Sequence, residues 1–491
     1  MYYIGIDVGT SSVKVILVDE TGNIKCTHTK EYNNIYLKTN WIEQDPNIWF
    51  DSVIAAIRLI ITNIDKKQVA GIGITGQMHT TIILDKDNKV IRPAIMWNDL
   101  RTKDVARKLK LILDEYEDIK YLKNIISTGS PASNLYWLKE NEPENFAKIN
   151  KILITKDYIV YRLTGIFATD YCDSSTSALV DLNEKIWSKT MLRILGLSEK
   201  VLPQIRSTCE VVGTLNIEIA KLLGLSNNVK VIVGTGDNPA TAVVSNIVDD
   251  NIPVISLGSS GVVCASCKKP SLNSRAKNIL FSIKKQQFNN LVQGVVQATG
   301  IAHSWFMEEI LQTNKYVQEQ STIDRTELGK NKVIFFPHIA GDKLMFADPS
   351  LRGAFLGLGR NTKRHHMVQA VLEGLAFALK DVVNTMKKSG IEISCSKITG
   401  GGTKSELWME IIANVLNMPL KKLNTKEGAA YGIALLTISS CDENSSLEKL
   451  VNDNLQIEKT IYPSDELVTL YAEKYKQYNK IYPALKMIYE D

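Results

Sequence analysis

An apolar strand, a turn of glycine and hydroxyl residues and a second apolar strand occur twice in this chain, half its length apart. The first copy reads Ile4-Gly-Ile-Asp-Val-Gly-Thr-Ser-Ser-Val-Lys-Val-Ile-Leu-Val-Asp19, and the second Val254-Ile-Ser-Leu-Gly-Ser-Ser-Gly-Val-Val-Cys-Ala-Ser266. Each predicts a β-hairpin whose turn brings backbone amides close to something. The chain has 491 residues, well past the ~250–300 at which one hydrophobic core stops growing, so the echo predicts a duplication into two domains. The boundary falls near residue 245, giving 1–245 and 246–491. No Pro-rich or Ser-rich linker separates the halves, which predicts two lobes hinged about a cleft.

Between the hairpins, strand and helix signals alternate, which predicts an α/β fold. Apolar runs at 70–75, 81–84 and Val229–Gly234 read as strands. Asp45-Pro46 is a cap and first-turn pair for a helix from about Asn47 to Asn63. Trp408, Ile411, Ile412, Val415 and Leu416 follow the i, i+3, i+4, i+7, i+8 spacing of one buried helix face. The charged stretch Lys103–Lys151 reads as a helical insertion on the first domain.

Composition narrows the class. Apolar residues make up 44% and charged residues 23% of the chain, as in folded, water-soluble proteins. The net charge of +5 is dispersed with no long basic run, which argues against a nucleic-acid partner. No stretch approaches the ~20 apolar residues of a membrane span, and the opening MYYIGIDVGT has no export signal. Seven cysteines are scattered, with a single CxxC at Cys264 and Cys267. That pattern predicts reduced thiols in a cytoplasm and no zinc site.

Several polar constellations could carry chemistry. Asp7 ends the first strand beside Gly9, Thr10, Ser11 and Ser12, where backbone amides and hydroxyls suit phosphates and a carboxylate suits a hard cation such as Mg²⁺, usually through its waters. The same residues read equally as a capped hairpin turn. Gly258, Ser259 and Ser260 repeat the pattern. Gly400-Gly401-Gly402-Thr403-Lys404-Ser405 opens the amphipathic helix, and glycines there let a flat ligand or phosphate approach. The GxxxxGK[ST] spacing of a P-loop is absent, and the one literal GxGxxG, Gly71–Gly76, runs into strand and not helix. Gln77-Met78-His79 and Gly236-Asp237-Asn238 each follow a buried strand. Asp237 is the better base, because a strand-end carboxylate can take the proton of a hydroxyl attacking a γ-phosphate; a plain Asp-Asn turn is the other reading. Trp97-Asn98-Asp99-Leu100-Arg101 adds an aromatic face, a carboxylate and a guanidinium suited to polyol recognition, or to a surface ion pair.

With these residues in place, the chain resembles the FGGY family of carbohydrate kinases, on the side of its xylulose-phosphorylating members. The resemblance covers nearly the whole chain: IGIDVGTSSVKVIL, Trp41-Ile-Glu-Gln-Asp-Pro46, GQMH at 76–79, WND at 97–99, GDN at 236–238, Gly353-Ala-Phe-Leu-Gly-Leu358, His366–Glu373 and GGGTKSELW. It implies a pair of ribonuclease-H-like domains of the actin, hexokinase and Hsp70 type, and transfer of the ATP γ-phosphate to a terminal sugar hydroxyl. By matching motif it implies Asp237 as general base and Asp7 as the Mg²⁺-side carboxylate. Met78, His79, Asp237, Asn238, Trp97 and Asp99 would bind the sugar. Gly9, Thr10, Ser11, Ser12, Gly258, Ser259, Ser260, Gly401, Gly402 and Ser405 would bind ATP. The Met-His pair accompanies open-chain ketoses in the family, which favours D-xylulose over L-xylulose, ribulose, a polyol or gluconate. Dimers are common among the similar proteins. A catalytically idle sugar or nucleotide sensor is the reading from another class. Three positions depart from the family pattern: Thr80 stands where glycine is usual, Asn134 where lysine is usual, and Gly341-Asp-Lys-Leu-Met345 where GERTP is common.

Overall fold

The computed structural model describes the chain except residues 39, 246, 248–251, 269–276, 285–286, 343–344, 347, 349–350, 425–427 and 490–491. It forms two compact units. One comprises Met1–Asp249, Asn278–Leu291 and Lys426–Asn454, and the other Asp250–Lys277, Val292–Thr425 and Leu455–Asp491. A sequence reading could mark only one cut, near residue 245, whereas the chain passes between the units several times.

In the first unit the predicted hairpin pairs Tyr2–Val8 with Ser12–Asp19, antiparallel, with Asp7 opposite Lys14. On its other edge Tyr2–Val8 runs parallel to Val69–Gly76. The full sheet order is Val211–Thr214, Lys230–Ile232, Val69–Gly76, Tyr2–Val8, Ser12–Asp19, Ile24–Glu31, with Thr235–Gly236 also paired to Val69–Gly76. Side chains alternate across such a sheet. Ile4, Ile6 and Val8 therefore enter one core with Trp49, Val53 and Ile57, while Gly5 and Gly73 face the helix Ala429–Cys441. A Cβ on Gly73 would lie 2.0 Å from Thr437 Oγ1, and one on Gly5 2.1 Å from the Ala430 carbonyl oxygen. The GxGxxG run is thus a helix-packing surface.

The helix predicted after Asp45 spans Pro46–Ile60, with the Asp45 side chain accepting the Asn47 N–H. It stops short of Asn63, where the Thr62 hydroxyl donates back to the Arg58 carbonyl at 2.9 Å, a competing bond that weakens helix ends. The stretch expected to be an insertion is helical in pieces, at Lys103–Ile112, Pro131–Asn141 and Pro143–Ala147.

The second unit repeats the hairpin plan. Val254–Leu257 pairs antiparallel with Gly261–Cys267 and parallel with Ser396–Thr399, followed by Leu420–Leu423 and Ile457–Ile461. The helices Arg364–Lys388 and Glu406–Leu416 pack on it. All of the predicted face from Trp408 to Leu416 is buried in a core with Ile255, Leu257 and Phe377.

Candidate active site

Strand register builds the site in the first unit. Asp7 lies beside Thr75 and Thr75 beside Thr235; one step on, Val8, Gly76 and Gly236 share a row. Asp7 and Asp237 therefore flank the end of the Val69–Gly76 strand, Asp7 in the row of Thr75 and Thr235 and Asp237 just past Gly236, two strands away. Asp237 opens the helix Asp237–Val244. Its Oδ1 accepts the Asn238 N–H at 2.7 Å, and its backbone carbonyl accepts the Thr241 hydroxyl at 2.9 Å.

Asp7 is half-buried, and its Oδ1 is buried with no hydrogen-bond partner. Burial first, and then the charge of Asp237, push its carboxyl up to about 7, with Lys14 pulling the other way. The two carboxylates sense each other, because a like charge nearby disfavours ionisation.

The Gln77 N–H donates to the Val8 carbonyl at 2.9 Å, carrying the chain past the sheet edge. Met78 beyond it is buried, and His79 has a left-handed backbone with φ of 72°. A non-glycine residue there carries strain, a common mark of a functional turn. Gly236 is bare because a Cβ would meet Met78 Cγ at 2.6 Å. Asn238 Nδ2 reaches Met78 Sδ at 3.9 Å. The two motifs read as separate strand ends in the sequence form one surface.

Two residues with no role assigned from the sequence hold the first hairpin turn. The Gln44 amide donates to the Thr10 carbonyl at 2.8 Å and to Asn34 Oδ1 at 2.6 Å, while its Oε1 accepts from Trp49 Nε1 at 2.7 Å. The Tyr32 hydroxyl donates to the Gly9 carbonyl at 2.5 Å. Gln44 belongs to the WIEQDP run, so a signal was present; Tyr32 had none.

Asp99 is placed differently from the sequence reading. It is fully buried, and its oxygens accept from the Arg101 guanidinium at 2.9 and 2.8 Å, the Arg101 N–H at 2.8 Å and the Ile42 N–H at 2.6 Å. It braces the loop instead of presenting an oxygen to a ligand. Arg101 also pairs with Glu43 at 2.7 Å and lies over the Trp41 ring at 4.1 Å. Asn98, beside it, keeps a buried Oδ1 without a hydrogen-bond partner. Thr80, one of the departures from the family pattern, is buried and its hydroxyl accepts the Trp97 N–H at 3.3 Å. Asn134, another, donates to the Thr81 hydroxyl at 3.0 Å. Of the third, Lys343 and Leu344 lie outside the described residues.

In the second unit, Gly258 and Ser259 are exposed, with Ser260 half-buried. Their turn is fixed by Gly300 N–H donating to the Gly258 carbonyl at 3.0 Å and by Thr299 and Ile301 N–H groups donating to the Ser259 carbonyl at 3.1 Å. The glycine cluster divides. Gly401 has open space around it, whereas a Cβ on Gly402 would lie 2.7 Å from the Trp408 ring and 2.8 Å from Leu257 Cβ. Gly402 is thus bare for packing reasons. The Ser405 hydroxyl accepts the Trp408 N–H at 3.1 Å and donates to Gln320 Oε1 at 2.5 Å, which makes it the helix cap.

Among the described residues no helix is long and apolar enough to cross a membrane, and no group of three His, Cys, Asp or Glu side chains is arranged to hold a metal. Hairpin-led sheets with strand-end carboxylates beside glycine and hydroxyl turns are the plan of phosphotransferases of the actin and hexokinase type. Residues 2–244 match the N-terminal domain, and residues 254–441 the C-terminal domain, of the FGGY family of carbohydrate kinases. The chain belongs to this family and is an ATP-dependent sugar kinase. It is similar to the xylulose kinase of Bacillus subtilis (strain 168), at 31% identity over 489 residues, 99% of this chain and 97% of the relative. Among solved structures it is similar to a "xyloylose kinase" from Brucella ovis, with a TM-score of 0.93, 31% identity and coverage of 99% of this chain and 100% of the other. It is also similar to gluconate kinase from Lactobacillus acidophilus, with a TM-score of 0.90, 26% identity and coverage of 99% of both chains.

Proposed function

We propose that the chain transfers the γ-phosphoryl group of ATP to a terminal hydroxyl of a pentulose, D-xylulose first, with Asp237 as general base. The observation that carries the reading is the register that sets Thr235-Gly236 beside Thr75-Gly76, with Asn238 Nδ2 3.9 Å from Met78 Sδ, so that the base and the residues proposed for the sugar, Met78, His79 and Asn238, follow adjacent strand ends, while Trp97 is tied to the Thr10 turn. The full-length likeness to a xylulose kinase supports the choice of sugar.

The hydroxyl oxygen forms the new bond to the γ-phosphorus as its proton passes to the Asp237 carboxylate, and the bond to the leaving ADP breaks. Such a reaction is catalysed mainly by positioning and charge stabilisation. The turn Gly9–Ser12, held by Gln44 and Tyr32, offers backbone and hydroxyl donors to phosphate. Gly258, Ser259, Ser260 and Gly401 are proposed for the nucleotide as well. An orphaned, half-buried carboxylate at Asp7 fits a Mg²⁺ ion held through water, which would neutralise charge on the phosphates. The seven cysteines, all free, fit a reducing cytoplasm.

A second reading, a sugar acid as acceptor, is favoured by the likeness to a gluconate kinase. ADP release measured with D-xylulose, L-xylulose, ribulose, glycerol and gluconate separates the two. The expected result is the highest kcat/KM with D-xylulose. Preference for gluconate would establish the second reading, and no ADP release with any acceptor would overturn both.

A further inference from the structure

Behind the proposed sugar site lies a buried ionic cluster for which the phosphotransfer has no evident use. Lys156, on the helix Thr155–Thr164, holds Asp157 at 2.6 Å and Asp170 at 3.1 Å, with Asp173 farther off at 3.9 Å. Asp170 is further bonded by the N–H groups of Cys172 and Asp173 at 3.2 and 3.3 Å and by the Thr208 hydroxyl at 3.0 Å. The lysine therefore already has two carboxylates within hydrogen-bonding distance, and Asp173 is surplus.

Asp173 is 3% exposed, and neither of its oxygens has a hydrogen-bond partner. Such a group opposes folding, and a chain selected for stability alone would replace it. It sits at the base of the site: Asp173 Oδ1 lies 2.8 Å from where a Cβ on Gly236 would stand, next to Met78 Cγ and Sδ, which lie 2.6 and 2.9 Å from the same point. Gly236 immediately precedes the proposed base. A buried carboxyl without a hydrogen bond, placed against the turn proposed to carry the chemistry, is the pattern of a residue kept for function.

We propose that Asp173 is a positioning residue of the sugar site: its carboxyl, braced from behind by the Lys156 cluster, wedges Met78 and the Gly236–Asp237 turn into the placement that phosphotransfer requires. The inference rests on the reading of Asp237 as base and of Met78 as part of the sugar site. Burial, and then the charge of Asp170, push the Asp173 carboxyl well above the usual carboxylate range, with Asp157 and Asp237 adding to the rise and Lys156 opposing it. Asparagine matches the carboxyl in size and carries no charge, like the protonated form that burial and the neighbouring carboxylates favour.

The test compares Asp173→Ala, Asp173→Asn and, separately, Asp237→Asn in the same sugar-kinase assay, with thermal melting of each. Asp173→Ala should lower kcat/KM for the sugar about tenfold or more, leave the ATP KM within about twofold and melt no lower than wild type. Asp173→Asn should restore most of the loss. Wild-type sugar kcat/KM in Asp173→Ala would overturn the proposal. So would a lowered melting temperature with parallel loss in the sugar and ATP parameters, since that describes a structural role alone. If Asp173→Ala does not fold, Gly236→Ala takes its place: the added methyl displaces the Asp173 carboxyl and Met78 together, and unchanged sugar kcat/KM would equally overturn the wedge. Full activity in Asp237→Asn would instead remove the base reading while leaving the Asp173 comparison to stand by itself.

Discussion

The indole Nε1 of Trp97 donates a hydrogen bond to the hydroxyl of Thr10, 3.0 Å away. Two stretches 87 residues apart in sequence, one proposed for the sugar and one for phosphate, are thereby fastened to each other. Trp97 is 42% exposed, so the ring is anchored at its polar edge and leaves apolar surface for a ligand. The Thr80 hydroxyl fixes the same residue through its backbone N–H. Thr80 would thus act on the proposed sugar site through Trp97, and Thr80→Gly should loosen that loop.

Trp97→Phe tests the fastening. Phenylalanine keeps an aromatic face and removes the N–H, a hydrogen bond worth about 0.5–1.5 kcal/mol net. The expected outcome in steady-state kinetics is a fall in kcat/KM of roughly 2- to 10-fold for the sugar, accompanied by a rise in ATP KM because Thr10 is released. A change confined to the sugar parameters would show that the Thr10 turn does not depend on Trp97.

A pH-dependent cost in stability should be traceable to Asp7. Its carboxyl is raised from 3.8 to about 7 in the folded protein, so the folded state binds that proton more tightly than the unfolded state. The sign is the reverse of a salt-bridged carboxylate: stability is lost as pH rises from the ordinary carboxylate range to about 7, and the loss is constant above it. Asp7→Asn should therefore melt close to wild type near pH ~4 and progressively higher than wild type up to pH ~7, in buffer without divalent cations. It should also lose phosphotransfer and its response to Mg²⁺. A melting difference independent of pH would mean that Asp7 has an ordinary carboxyl in solution.

What was legible in the sequence was whatever depends on neighbours along the chain. Both hairpins, the strands leading to Gly76 and Asp237, and the buried face from Trp408 to Leu416 follow from local periodicity and turn residues. What was not legible depends on contacts made across the fold. The helix Ala429–Cys441 packs on the first unit's sheet because Gly5 and Gly73 admit it, and nothing in its own residues says so. Asp99 reads as an acid for polyol recognition or for a surface ion pair until the Ile42 N–H and the Arg101 fork close on it in the interior. Asp173 meets Lys156, Met78 and Gly236 only after folding.

Gly401 and Gly402 are indistinguishable in sequence and should separate in experiment. Gly402→Val places branched carbon against Trp408 and Leu257, where even a Cβ comes within 2.8 Å. Overpacking of that kind typically costs about 1–3 kcal/mol, so the variant should lose thermal stability in differential scanning before any nucleotide is added. Gly401→Ala meets nothing within 4 Å and should fold normally. A raised ATP KM in that variant would mark Gly401 as lining the nucleotide, and an unchanged KM would leave the cluster as a helix-entry turn.

The mechanism itself turns on Asp237→Asn. A sugar hydroxyl is a weak nucleophile at neutral pH and must shed its proton as the bond to phosphorus forms. An amide keeps the size of the carboxylate and cannot accept that proton. General-base catalysis contributes ~10²- to 10⁴-fold, or about 3–5 kcal/mol of barrier, and kcat should fall by that amount. The fold should survive, because the amide oxygen of the variant can still accept the Asn238 N–H, and the backbone carbonyl that receives the Thr241 hydroxyl is untouched. Removing the negative charge also removes one of the two influences that raise Asp7. Asp7 should then ionise at lower pH, and the melting difference between the single variant and Asp237→Asn/Asp7→Asn should shrink relative to that between wild type and Asp7→Asn. A kcat above about a tenth of wild type, a loss under ~1.4 kcal/mol, would rule out Asp237 as the base, and with Asp99 closed in its ion pair, the carboxylate left to test at this sheet edge would be Asp7.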